Sequence, residues 1–459
     1  MLNRHILERV LLRAMSGGAD FAEIFAERSR SSSISYVDSR IESIYDNTLS
    51  GVGIRAFLGV RTVYASTTDI TEEGLMLCAA SVAEAIGEGR ADQNIVLSER
   101  ITPNIHPVRI VPSDSLTGFA ADLLKAGCQA AAGYDKRIIQ VQGRLMTNDR
   151  NILIANSEGL YITDRSVRTR IAISAIASDG TENQTGSASP GALMGLEFFE
   201  EHMPEEIGRR AAEQAITNLE AVYCRAGKMT VAIESGFGGV LFHEACGHSL
   251  EATSVAIGAS QMAGKLGQKI ANEKVTVVDD GTIPGGWGSM NIDDEGNPAR
   301  RNVLIENGVL KSYMIDRLGS RRMGLPVTGN SRRENYSFEP TSRMTNTFIL
   351  NGPDRNEDII ASIEYGLYAK EMGGGSVNPL TGAFNFSVRE GYMIRNGKIC
   401  EAVRGASLIG TGSQILENID MVGQNQACGE GMCGSRSGSV PVGVGQPLIR
   451  MTGLTVGGR

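Results

Sequence analysis

The chain has few histidines, few aromatic residues and no long apolar run. Five histidines occur in 459 residues, and Phe, Trp and Tyr together make up 5%. No stretch approaches the about 18 continuous apolar residues of a membrane-spanning helix. Residues 1–15 carry Arg4, Glu8, Arg9 and Arg13 among apolar positions. That is the pattern of an amphipathic helix, not of a signal peptide. No membrane association is expected, and a cytoplasmic location is. Basic residues are also in deficit, 44 Lys and Arg against 52 Asp and Glu, for a net charge of −8. Binding to a phosphate backbone needs a basic face, so direct contact with nucleic acid is not expected. The densest candidate patch, Arg321-Arg322 with Arg332-Arg333, reads as a solvated face. The seven cysteines, at 78, 128, 224, 246, 400, 428 and 433, are odd in number and scattered. They form no disulfide framework and fit a reducing compartment.

Glycine is in excess, at 56 residues against a usual share of about 7%. This suggests many tight turns. The length exceeds one ordinary core. An α+β fold of two domains with antiparallel or mixed sheets is expected, an N-terminal domain over 1–224 and a C-terminal one over 225–459. Ile6, Leu7, Val10, Leu11 and Ala14 recur at helical spacing up to Gly17-Gly18. Short runs at 21–27, 33–37, 40–46, 51–58 and 62–66 then predict an antiparallel meander. Asp69 with Glu72 resembles a capping box for the next helix, and Ser113 an N-cap for the one after. Strands are expected at 138–146, 151–156, 160–164 and 166–178. In the last, Val167, Thr169, Ile171, Ile173, Ala175 and Ala177 share a face. Residues 180–195 read as a mobile loop, and 204–219 as a helix. Asn307-Gly308 and Asn396-Gly397 signal hairpins, and Gly373-Gly374-Gly375 a flexible stretch. Asp293-Asp294-Glu295 lacks EF-hand spacing and reads as part of a solvated loop.

The chemistry gathers at Phe242-His243-Glu244-Ala245-Cys246-Gly247-His248, which is expected on a buried, kinked helix. Imidazole suits zinc, and a Glu beside the first ligand can act as a general base. In H-E-x-x-H the histidines stand four apart, on one helix face. Here they stand five apart. Five residues of regular helix turn about 500°, which leaves the rings roughly 140° apart. Both reach one ion only if the helix bends or takes an extra residue, and Gly247 is placed for a kink or π-bulge. A third ligand is needed, and thiolate is a common one. Cys400, Cys428 and Cys433 are the downstream candidates. Cys400 sits on a hairpin strand. The other two lie in a glycine-rich turn that can approach an ion closely. Cys246 projects differently from His243 and reads as core.

Seven blocks in one order carry a family resemblance: H-E-A-C-G-H-S-L-E at 243–251, V-D-D-G-T at 278–282, I-D-D-E-G at 292–296, N-V-L-I-E-N-G at 302–308, R-M-T-N-T at 343–347, G-M-C-G at 431–434 and P-V-G-V-G-Q-P at 441–447. By these the chain resembles the TldD branch of the TldD/PmbA family, once described as modulators of DNA gyrase and now regarded as zinc metallopeptidases. The resemblance is strong over 229–459 and extends to the N-terminal half in general layout. It implies one Zn²⁺ per chain, with His243, His248 and Cys433 as ligands and Glu244 as general base on a zinc-bound water. It also implies a PmbA/TldE-like paralogue as partner in a heterodimer, or a homodimer. The PmbA branch lacks the H-E-x-x-x-H residues, so their presence puts this chain on the catalytic side. Some members carry Gly-Asp where Ala252-Thr253 stands here, and any role of that Asp does not transfer.

The expected activity is hydrolysis of peptide bonds in unfolded or small peptide substrates, held as an added strand on a sheet edge. Tyr313, Tyr336 and Arg333 are candidate donors to the oxyanion. Two rivals stand beside it. One is a non-catalytic scaffold with structural zinc and Cys428 as fourth ligand. The other is a regulatory partner of DNA gyrase or of toxin–antitoxin systems.

Overall fold

The computed structural model describes residues 2–87, 89, 94–113, 116–377 and 383–459. Its first helix, α1 (Arg4–Met15), forms where the apolar spacing places it. Asn3 caps it through the His5 amide, and Leu7, Val10, Leu11 and Ala14 are fully buried. Each such Leu or Val stabilises the fold by about 1.5–3 kcal/mol. The predicted meander exists, but its five runs merge into three strands: β1 (Phe21–Val37), β2 (Arg40–Leu58) and β3 (Arg61–Thr67). The polar tracts stay in register across the β1–β2 ladder, with Ser31 opposite Asn47. Backbone pairing carries the strands through segments that lack apolar alternation. For the same reason the next four runs are two strands, β4 (Ile138–Asn156) and β5 (Leu160–Ser178).

This sheet runs β3-β2-β1-β4-β5. The segment read as a mobile loop instead adds strands Asn183–Ala188 and Gly191–Ala192 to β5. Helices cover the sheet in two groups. α1 and α2 (Glu72–Ile86) bury Leu75, Val82 and Ile86 against β1 and β2. α3 (Thr117–Ala132) and α4 (Pro204–Glu220) pack on Ile171, Ile173 and Ala175 of β5. Two caps differ from expectation. Thr71, held by Asp69, caps α2 through the Gly74 amide. Leu116 takes the cap position of α3 in place of Ser113.

The second half contributes β6 (Gly227–Ile233), helix α5 (Val240–Ala245), β7 (Val277–Asp280), β8 (Arg301–Glu306), β9 (Asn346–Ile349), β10 (Tyr365–Val377), β11 (Ala383–Arg395), β12 (Lys398–Arg404), β13 (Ser407–Thr411), β14 (Ala427–Ser435), β15 (Gly438–Gln446) and β16 (Ile449–Gly457). The run β10-β6-β16-β13-β11 closes through a β10–β11 pairing into a small barrel. A second sheet runs β8-β7-β9-β15-β14. The largest core joins the two and includes Val231, Phe242, Met344 and Phe386. Asn307 and Asn396 both adopt φ 48°, as the hairpin reading requires. Gly373-Gly374-Gly375 is part of β10, and Cys428 and Cys433 stand on β14, not in a turn. Among the described residues no helix is long and apolar enough to cross a membrane.

Buried charge joins the halves. The acidic triplet is not solvated: Asp293, Asp294 and Glu295 are 0%, 5% and 1% exposed. Arg55 pairs with Glu23 at 2.8 Å and also with Glu295. Arg150 pairs with Glu27 and Asp294, at 3.1 Å each. Arg332 and Arg333 are buried as well, so the predicted surface patch is half interior. The partners lie too far away in sequence to be seen in one window; Arg55 and Glu295 are 240 positions apart.

Candidate metal centre

β6 leads through Gly236–Gly239 into α5. A Cβ on Gly239 would meet the Gly445 backbone at 2.4 Å, so glycine there lets α5 approach β15. α5 carries His243 and Glu244 and ends at Cys246, whose φ of −129° and ψ of −40° leave the helical region. The Cys246 amide still bonds the Phe242 carbonyl at 2.9 Å, and a 3₁₀ turn, Gly247–Leu250, follows. The predicted bend is therefore a break into a tighter turn, not a π-bulge. A Cβ on Gly247 would meet the Met344 sulfur at 2.4 Å. The break brings the two rings together, with centroids 5.2 Å apart and planes at 80°.

Cys433 arrives from β14. Its Sγ lies 3.3 Å from His243 Nε2 and 3.2 Å from His248 Nε2. The three atoms all fall within 4.8 Å of one another. Zinc bonds of about 2.3 Å to sulfur and about 2.0–2.1 Å to nitrogen, at tetrahedral angles, separate the two donors by about 3.6 Å. The donor set fits a single ion. Cys400 and Cys428 lie outside this group.

Glu244 Oε2 stands 3.8 Å from His248 Nε2, and those two side chains are 36% and 30% exposed. His243 and Cys433 are buried. The centre thus opens to solvent on the Glu244 side. Behind His248, Glu251 Oε2 lies 3.1 Å from Nδ1. A carboxylate there holds the Nδ1 proton, which leaves Nε2 as the nitrogen that faces the thiol and can give up its proton to a metal ion. Burial, then the charges of His248 and Arg343, hold His243 well below the usual imidazole range. Burial works against a charged His248 too, but Glu251 and Cys433 prevail and lift it to about 11. Burial pushes the Glu244 carboxyl up.

Two further residues shape the centre, and sequence reading assigned neither a role. Glu251 follows His248 by one turn, a spacing that could have suggested it. Arg343 is fully buried. Its Nη2 donates to the Cys433 carbonyl, its Nη1 donates to the Gly438 carbonyl at 2.9 Å, and its Nε lies 3.8 Å from Glu251 Oε1. No spacing rule joins 343 to 433. Asp279 anchors the segment after Arg343, accepting from the Thr345 amide at 2.7 Å and from Thr347 Oγ1 at 2.6 Å. The blocks V-D-D-G-T and R-M-T-N-T meet there. The three oxyanion candidates are engaged elsewhere. Tyr313 donates to the Met262 carbonyl at 2.6 Å, Arg333 faces Glu23, and Tyr336 packs with Phe25 and Ile292.

A buried and a half-buried imidazole with a buried thiol, beside a carboxylate, define a candidate mononuclear metal centre. Three family models match in order. They are the PmbA/TldA metallopeptidase domain 1 over 22–86, its central domain over 111–219 and its C-terminal domain over 226–458. The Haemophilus influenzae metalloprotease TldD homolog is 37% identical over 451 residues, 96% of this chain and 93% of its own. The Saccharolobus solfataricus zinc metalloprotease TldD homolog is 30% identical over 247 residues, 54% of this chain and 55% of its own. Among solved structures, a Thermotoga maritima protein described as a candidate modulator of a DNA gyrase matches with TM-score 0.78, 22% identity and 99% of both chains covered. TldE from Thermococcus kodakarensis matches with TM-score 0.74 and 22% identity, over 98% of this chain and 99% of its own. The chain belongs to the PmbA/TldD family of metallopeptidases.

Proposed function

We propose that the chain is a zinc-dependent peptidase acting on unfolded or small peptides. The observation that carries this is the convergence of His243, His248 and Cys433 within 4.8 Å, on the side where Glu244 meets solvent. These three residues would hold one zinc ion. Three protein donors with a position left over are the pattern of a catalytic rather than a closed structural site. A zinc ion held there would supply Lewis acidity, to polarise a carbonyl and ease the ionisation of water. Glu244 takes the proton of the attacking water on its carboxylate and returns it to the leaving nitrogen. Glu251 orients His248, and Arg343 ties Glu251 to the strand that bears Cys433.

β14 ends its sheet and carries Cys433, so an extended peptide can add along its outer edge. Arg170, Trp287 and Arg343 already donate to the Glu430, Gly431 and Cys433 carbonyls, which leaves the remaining groups of that strand to set the peptide's register. Family membership and the likeness to TldE support assembly with a TldE-like paralogue, or as a homodimer. The scaffold reading needs a fourth protein ligand, and among the described residues none joins the triad. The gyrase reading rests on the descriptions of solved structures no more than 22% identical to this chain, the Thermotoga maritima and Bacteroides thetaiotaomicron proteins.

The test is mass spectrometry of an unstructured peptide incubated with the chain alone and with its TldE-like paralogue, with and without a chelator. Cleavage that the chelator abolishes is expected. Intact peptide in every arm overturns the proposal.

A further inference from the structure

The apolar face of β5 packs on α3 and α4. Its opposite face presents Asp164, Ser166, Arg168 and Arg170. The register sets Asn148 and Met146 of β4 beside Arg168 and Arg170. This polar face is the floor of a cavity of about 470 Å³, roofed by Trp287, Arg332, Met432 and Pro441 from the second half. Small-molecule sites span about 300–1,000 Å³. No residue of the metal centre lines the cavity. Met432 precedes Cys433 on β14, and strand alternation turns the two to opposite faces.

Six arginines reach this space, against three carboxylates, Asp164, Asp294 and Glu334. Arg150 and Arg333 have carboxylate partners. Among the described residues, Arg144, Arg168, Arg170 and Arg332 have none within ion-pair distance. Arg168 donates to the carbonyls of Trp287 and Ser289, at 3.1 and 2.8 Å. Arg332 donates to that of Met344 at 2.6 Å, and Arg144 to Ser33 Oγ at 2.8 Å. Neutral acceptors orient a guanidinium but do not offset its charge. Arg332 is buried and Arg168 and Arg170 are half-buried, where a cation with no carboxylate within ion-pair distance is costly, while Arg144 stands exposed at the edge of the space. Arg150 Nη2 is buried with no partner at all. Burial, then repulsion from Arg332 and Arg150, brings Arg168 down to about 9 against the pull of Asp294 and Asp164. Burial brings Arg332 down to about 10 against the pull of Asp294 and Asp279, with Arg343 and Arg150 adding repulsion. A bound anion relieves that repulsion. Trp287, Met290 and Ile292 add an apolar wall.

We propose that this cavity binds a small molecule with a phosphate or carboxylate head, its charge held by Arg144, Arg168 and Arg332 and its body against Trp287 and Met290. The site is separate from the metal centre and independent of the hydrolytic reading. Trp287 is the only tryptophan in the chain, and the Arg170 guanidinium carbon lies 5.3 Å from its ring centroid. Its emission therefore reports on the cavity.

Inorganic phosphate and succinate, titrated separately into the full chain at low ionic strength, test the proposal. At least one should change Trp287 emission saturably, with a dissociation constant below about 1 mM. The double variant Arg168→Gln/Arg332→Gln should weaken that binding at least tenfold, and Arg436→Gln, at an exposed position, should not change it. If circular dichroism shows the double variant unfolded, Arg144→Gln serves in its place, with a loss of at least threefold expected. The better probe names the head group, and equal binding names an oxyanion site of either kind. Prior treatment with a chelator, then desalting, should leave the affinity unchanged. A flat emission with both probes, unweakened binding in the folded variants, or binding lost with the metal would each overturn the proposal.

Discussion

Glu251 and His248 face each other across 3.1 Å, carboxylate Oε2 to ring Nδ1, while His248 Nε2 points to the Cys433 sulfur at 3.2 Å. One ring thus has a carboxylate on one nitrogen and the centre on the other. Replacing Glu251 by Gln removes the charge that fixes the tautomer. Metal affinity should fall about 10–100-fold, read by competition with a chromophoric chelator. Affinity equal to wild type would show that the pairing does not tune the ring.

Glu244→Gln separates binding from chemistry. Glu244 is adjacent to the triad but outside it, so metal content should stay near wild type. Peptide cleavage should fall by about 10²–10⁴. Unchanged cleavage would remove Glu244 from proton transfer.

The two cysteines of β14 should behave differently. Cys433→Ala should lose metal, whereas Cys428→Ser should keep it, because Cys428 lies outside the ligand group. Metal analysis after dialysis decides this. Loss of metal from Cys428→Ser would favour a closed structural site.

The buried ion cluster predicts a stability effect far from the centre. Arg55 is 1% exposed and stands between Glu23 and Glu295. Arg55→Met strands two buried carboxylates and should cost about 3–5 kcal/mol, seen as a lower denaturation midpoint. A midpoint within error of wild type would mean that the pairs contribute little to joining the halves.

The same cluster predicts a pH effect. Burial, then the charge of Glu295, raises the Asp316 carboxyl to about 7 against the pull of Arg55. An unfolded Asp titrates near about 3.9. Between these values the folded chain keeps a proton that the unfolded chain has lost, so this contribution to stability falls as pH rises from about 4 to about 7 and is level above. Asp316 also caps helix Arg317–Met323 through the Gly319 amide, and Asn caps equally well. Asp316→Asn should therefore flatten the pH dependence of the thermal midpoint over that range. An unchanged slope would assign it to other groups.

The candidate site was legible because its residues are rare types at a telling spacing, and because Cys433 lies in a block that the family resemblance covers. The five-residue gap dictated a bend, and the structure supplies one as a break at Cys246. Apolar periodicity located α1, α2 and α4 and the buried face of β5. It stopped short wherever backbone pairing runs through polar sequence, as at Ser31 and Asn47. It also missed Asp293, Asp294 and Glu295, whose burial depends on arginines from the other half. The face bearing Arg168 drew no reading for the same reason: nothing local to it announces the roof.

X-ray absorption at the zinc edge, on the chain loaded with one equivalent of zinc, tests the central claim most directly. The account predicts one sulfur at about 2.3 Å and two imidazole nitrogens at about 2.0–2.1 Å, with the sulfur lost in Cys433→Ala. A spectrum without sulfur, or one unchanged by that substitution, would contradict it.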